Sequence, residues 1–125
     1  MRTRRTRHIV LAGVTTAAVA AAGLSAVAVA ATTRSLKNGT GELTYSAKRL
    51  TATPGQVTIT YRNTGNIPHN IAVRGAKLRR PVVGKVVPKG GTSRVRTRLR
   101  AGTYTFYCSV PGHAQAGMKG TLVVR

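Results

Sequence analysis

From Ser93 to Arg100 the chain alternates without a break. Arg94, Arg96, Arg98 and Arg100 fall on one side, Val95 and Leu99 on the other. A period of two belongs to a strand with one face in water and one in a core, and no helix face recurs that fast. Gln56–Arg62 repeats the pattern, with Val57, Ile59 and Tyr61 opposite Thr58 and Thr60. Turn signals flank it, Pro54-Gly55 before and Asn63-Thr64-Gly65-Asn66 after. Shorter apolar runs follow at Asn70–Val73, at Val82–Val87 (broken by Gly84) and at Thr121–Val124. In Thr103–Cys108 the side chains of Tyr104, Phe106 and Cys108 share a face. No stretch beyond Ala31 keeps a helical period over three turns, and there is no internal repeat. Many short strands with close turns predict an all-β fold, an antiparallel β-sandwich or barrel.

The N-terminus reads differently. Residues 1–8 are basic, Ile9–Ala31 carry no charge, and the run closes on Ala28-Val29-Ala30. A basic head, an apolar middle and a small-x-small end form a helical signal segment for secretion. The expected organisation is therefore a signal peptide over residues 1–30, a flexible lead-in over 31–41 and one folded domain over 42–125. The uncharged run is also long enough to span a bilayer, so retention as a membrane anchor is the alternative. Alanine contributes little transfer energy, which favours cleavage. Arg4-Arg5 is compatible with twin-arginine export. Either way the domain works outside the cytoplasm, in a periplasm or at the cell surface.

Composition removes most catalytic chemistry. The chain has 21 Lys+Arg and a single acidic residue, Glu42, for a formal charge of +20. One carboxylate cannot supply an acid–base pair, a Ser-His-Asp triad or an EF-hand. The one cysteine forms no internal disulfide. The chain is not expected to be an enzyme.

What remains is a soft-donor cluster. Beyond Ala31 there are two histidines (His69, His113), one cysteine (Cys108) and one methionine (Met118). Three of the four lie in Cys108-Ser-Val-Pro-Gly-His113-Ala-Gln-Ala-Gly-Met118, at the end of a strand and in the loop after it. Taken singly, each has an ordinary structural reading: a core cysteine, a turn histidine, a gap-filling methionine. Together they form the two-imidazole, thiolate and weak thioether set of blue-copper electron-transfer sites. Ligation would also protect a thiol that outside the cytoplasm would otherwise pair or oxidise. A structural zinc site could use the Cys and both His, but the thioether suits it less well.

Residues 102–124 resemble the copper-binding end of the cupredoxin family. The C-x4-H-x4-M spacing is most similar to auracyanin- and rusticyanin-like members, and Pro68-His69-Asn70 is similar to the first-ligand motif of plastocyanin. The resemblance implies a Greek-key β-sandwich with one type 1 copper ion, passing single electrons between redox partners. Carried over by motif, it implies His69, Cys108 and His113 as equatorial ligands and Met118 as a long axial one. It further implies that Asn70 hydrogen-bonds near the Cys108 sulfur and ties the two loops, and that the Val110 N–H donates to that sulfur. His113, among small apolar neighbours and bordered by Ile67 and Pro68, would be the exit route for the electron.

Charge bears on partners. Seventeen basic residues lie beyond Ala31, so a monomeric domain would attract a redox protein with an acidic docking surface, most strongly at low salt. For the Arg94, Arg96, Arg98 and Arg100 row, a solvated surface with no docking role is an equal alternative. Nucleic acid is not expected, because the aromatics point inward and no recognition motif interleaves with the arginines. A membrane is relevant only if the N-terminal segment is retained. Further copper centres would need more histidines than the chain has. The remaining rival is a copper-binding or delivery module without a redox partner.

Overall fold

The computed structural model describes residues 18, 22–26 and 30–125 of the chain. Most of the expected signal segment lies outside these residues. No helix among the described residues is long and apolar enough to cross a membrane.

Eight strands run in chain order: β1 Ala31–Lys37, β2 Arg49–Ala52, β3 Gly55–Arg62, β4 Ala72–Arg74, β5 Val82–Val83, β6 Thr92–Leu99, β7 Gly102–Tyr107 and β8 Lys119–Val124. They form two sheets, β1-β3-β6 and β2-β8-β7-β4-β5. The chain crosses between the sheets at most connections, and the β-sandwich expected from the sequence is what forms. It is not purely antiparallel. Two edge strands pair in parallel, β1 with β3 and β2 with β8.

The first of those pairs corrects the reading of residues 31–41 as a flexible lead-in. Ala31–Lys37 is strand β1, in register with Gln56–Arg62 along its whole length. Its polar composition hid a period of two, in which Thr32 and Leu36 are buried and Arg34 half-buried between exposed neighbours. The sandwich therefore begins at Ala31 and not at residue 42.

The core is filled from both sheets. Leu36, Val57, Ile59, Tyr61, Val95 and Leu99 come from the three-stranded sheet, and Val73, Tyr104, Phe106, Leu122 and Val124 from the five-stranded one. Tyr45, in the β1–β2 connection, joins the two. Its ring meets Tyr61 edge-on at 5.3 Å and Phe106 at 5.5 Å. Such edge contacts between aromatics add about 0.5–1.5 kcal/mol beyond burial. Arg94, Arg96 and Arg98 line the outer face of β6, as the alternation requires.

One end of the sandwich carries the polar interior. Tyr61, fully buried, donates its hydroxyl to Asn38 Oδ1 at 2.6 Å. That oxygen also accepts the backbone N–H groups of Thr64 and Gly65. Asn63, likewise buried, donates to the carbonyls of Ile67 and Val87. Burial pushes the phenols of Tyr45 and Tyr61 well above their ordinary range, so both remain donors. The network leaves no buried side-chain polar atom unpaired among the described residues. It fixes the turn from Asn63 to His69, and with it one wall of the site described next.

Tyr61→Phe keeps the ring and deletes the buried donor, so it should destabilise the chain by about 0.5–1.5 kcal/mol. Arg96→Ala, on the outer face, should stay within about 0.5 kcal/mol of the parent. Chemical denaturation midpoints measure both. Equal losses would show that β6 does not face water as described.

Candidate metal centre

Two connections at the same end of the sandwich bring the site together. The β3–β4 connection holds His69, whose backbone is paired with Val87 as an isolated bridge (N–H to O 3.2 Å, and 2.9 Å in return). The β7–β8 connection runs from Cys108 to Met118. The N–H of Cys108 donates to the Met118 carbonyl, and the N–H of Met118 donates to the His113 carbonyl, both at 3.0 Å. These bonds close the loop into a compact ring of backbone. The glycines just before His113 and Met118, Gly112 and Gly117, take positive φ of 84° and 116°, which side-chain-bearing residues rarely adopt.

The side chains meet inside that frame. Cys108 Sγ lies 3.5 Å from His113 Nδ1 and 3.9 Å from His69 Nδ1, and the two Nδ1 atoms are 3.1 Å apart. One ligand atom from each of the three residues fits within 4.8 Å of the others. Burial is uneven. His69 and Met118 are 0% exposed and Cys108 1%, whereas His113 is only half-buried. Met118 joins the core cluster that includes Cys108 and Phe106. A thiol and two imidazole nitrogens at this separation, with a buried thioether bonded through its backbone to Cys108 and His113, match the donors a type 1 copper ion takes.

The electrostatics keep the His113 imidazole available as an electron-pair donor. Burial, and then the neighbouring His69, lower the pKa of His113, which favours its neutral ring. His69 Nε2 lies 2.9 Å from Glu42 Oε1. The backbone N–H of Asn66, the His69 ring and the N–H of Ile67 hold the Glu42 carboxyl down at about 2. Sequence reasoning gave Glu42 no role. The available signal was its being the one acidic side chain in the chain.

Asn70 bonds beside Cys108 and ties the two loops, as the resemblance implied. Its Nδ2 donates to Ser109 Oγ (2.7 Å) and to the Gly84 carbonyl (2.9 Å), and its Oδ1 accepts the Ser109 N–H (2.8 Å). It ties the two loops through the residue after Cys108 and does not touch the sulfur. The Val110 N–H likewise makes no bond to the sulfur among the described residues. The Val110 carbonyl accepts the N–H of His113 at 3.1 Å. The tight turn that begins at Val110 uses the residue this way. Ile67 is 42% exposed and Pro68 exposed, beside the His69 segment.

Asn70→Ala removes three hydrogen bonds and leaves the buried Gly84 carbonyl and the half-buried Ser109 unmet. It should cost about 1–3 kcal/mol, read from denaturation, and amide exchange at Ser109 should quicken. An unchanged exchange rate would mean the loop is held without Asn70.

The sequence matches the family model of copper-binding proteins of the plastocyanin/azurin family over residues 32–125. Among solved structures, dithionite-reduced auracyanin from the photosynthetic bacterium Roseiflexus castenholzii aligns with a TM-score of 0.67 at 27% identity, covering 77% of this chain and 98% of that one. Auracyanin A from the green thermophilic photosynthetic bacterium Chloroflexus aurantiacus, a "blue" copper protein, aligns at 0.63 with 25% identity over 76% of this chain and 99% of that one. Auracyanin B aligns at 0.67 with 21% identity over 80% and 92% of the two chains, a likeness of fold alone. No curated protein sequence matches significantly. With the family model spanning nearly all of the sandwich and the donor atoms of two histidines and a cysteine gathered inside it, the chain belongs to the plastocyanin/azurin family of cupredoxins, and its cofactor is copper.

Proposed function

We propose that the chain is a small exported electron carrier that takes an electron from one redox protein and delivers it to another. His69, Cys108 and His113 would hold the copper ion, with Met118 as the weak fourth ligand. Copper bound there supplies one-electron oxidation and reduction between its cuprous and cupric states. The protein's own contribution is to hold the donors still. Rotation of Cys108 is restricted by the strand end and core, that of His69 by Glu42 and Tyr61, and the loop backbone is closed by its own hydrogen bonds. A site that does not rearrange wastes little energy when charge changes.

The observation that carries this reading is the uneven exposure of the donors. His69, Cys108 and Met118 are closed off from solvent and His113 alone approaches the surface. A delivery module needs donors that an acceptor can reach and replace, which favours retention of the metal here and contact with partners through His113. Ala114, half-buried, and Pro111 and Gly112, exposed, are the residues around it in the chain. The excess positive charge favours an acidic partner surface, and a monomer is the simplest carrier. Export rests on the basic head, uncharged run and Ala28-Val29-Ala30 end of the sequence.

Adding Cu(II) to the purified chain should produce an intense visible thiolate-to-copper band. Cys108→Ser should abolish it. A colourless wild-type complex would remove the reading at its base.

Ala114→Lys should leave that band in place and slow electron self-exchange between copies, since the added ammonium must lose water to enter the contact and meets a like-charged surface there. Line broadening in mixed-valence samples at fixed salt measures the rate. Identical rates would show that electrons leave elsewhere.

A further inference from the structure

We propose that Glu42 is a positioning residue for His69, fixing the proton of that ring on Nε2 so that Nδ1 presents its lone pair toward Cys108 and His113. The inference deepens the copper reading and rests on it. An ionised carboxylate can only accept, so the 2.9 Å contact requires a hydrogen on Nε2. A neutral imidazole has one N–H, which leaves Nδ1 as the electron-pair donor. Nδ1 is the atom found beside the sulfur and the second imidazole.

The carboxylate is itself held. Oε1 accepts the Asn66 N–H at 2.8 Å and the Ile67 N–H at 3.0 Å, and Oε2 also receives Asn66 at 3.0 Å. The Glu42 carbonyl accepts Asn38 Nδ2 at 2.9 Å, linking it to the Tyr61 network. Gly65 makes room: a Cβ there would meet Glu42 Oε1 and come within 2.8 Å of Asn38 Nδ2. Two fixed amides and one ring therefore share one oxygen, which determines where the ring can point.

A carboxylate bonded to a ligating histidine raises the basicity of the ligand and orients it. Its negative charge also favours the more positive oxidation state of the metal. Glu42 should therefore lower the reduction potential. The competing account makes Glu42 only a cap for the Gly65–Ile67 turn, with no effect on the ligand.

Three variants of the full chain separate these accounts. Glu42→Gln keeps an acceptor oxygen and removes the charge. Glu42→Asp keeps the charge on a shorter stem, and Glu42→Ala removes both. Before copper is added, 15N shifts should show the Nε2–H tautomer of His69 in the parent and in Glu42→Gln, and a mixture in Glu42→Ala. With copper, Glu42→Gln should keep the thiolate band and shift the potential positive, with Glu42→Asp between it and the parent. Glu42→Ala should bind Cu(II) about 10–100-fold more weakly.

An unchanged tautomer in Glu42→Ala together with an unchanged potential in Glu42→Gln would reduce Glu42 to a turn cap and overturn the proposal. Should Glu42→Ala not fold, the Glu42→Gln potential decides alone. Should the parent give no thiolate–copper band, the copper reading fails, and the tautomer measured before metal addition still decides the role of Glu42.

Discussion

The site depends on two connections, far apart in the chain, being locked together at one end of the sandwich. The pair of bonds between Asn70 and Ser109 does this most directly, because it bridges 39 positions of sequence right beside both His69 and Cys108. Closing such a loop costs conformational entropy, and a single contact would not hold it against thermal motion. The remaining bonds divide the work. Tyr45 donates to the Asn70 carbonyl at 2.6 Å, and Gly84 exchanges bonds with both Asn70 and Ile71. These polar links are buried or partly so, where each is stronger than in water and each unmet partner would be costly. The donor atoms are thus placed by a frame that is complete without them.

Much of this frame was legible and some was not, for a consistent physical reason. Strands β3, β6 and β7 show their burial as a period of two in the sequence, because each has one face in the core. The Cys108–Met118 loop was legible because three of its donors are close in sequence. Strand β1 was missed because Thr32 and Arg34 sit at inward-facing positions where an apolar residue would have marked the face. Its pairing is parallel and depends on a partner across a connection, and local propensity carries no such information. Glu42 was missed because the 27 positions between it and His69 form no motif. The link exists only once β1 has been placed beside β3.

The charge distribution follows a related logic. With one carboxylate in the chain, and that one turned toward His69, the cations find other acceptors. Arg34 Nε donates to the Thr51 carbonyl at 2.7 Å, Lys89 to Asn66 Oδ1 at 3.1 Å and Lys77 to the Ala101 carbonyl. Arg74 lies 4.5 Å over the ring of Tyr107. Carbonyls, amides and an aromatic face stabilise the side chains without cancelling their charge. The positive field therefore reaches outward unpaired, over a Debye length of roughly 8 Å at physiological salt. Such a field acts on the rate of encounter with an anionic surface more than on the fold.

The two histidines make an instructive pair within this arrangement. They offer the same Nδ1 atom to the same point, 3.1 Å from each other, yet their other sides face opposite conditions. His69 is sealed at 0% exposure with a carboxylate against Nε2, whereas His113 stands in a half-open loop of small residues. A buried ring held at Nε2 by a fixed carboxylate cannot turn freely, so rigidity belongs to His69. A ring with one side near solvent could meet another protein without disturbing the donors behind it, and the proposed carrier role would place that contact at His113. Exchanging these surroundings would expose the anchor and bury the contact, leaving a site able to bind metal and poorly placed to pass an electron on. The lone acidic side chain therefore lies against the histidine that is closed to solvent, where its hold on the ring is least diluted by water.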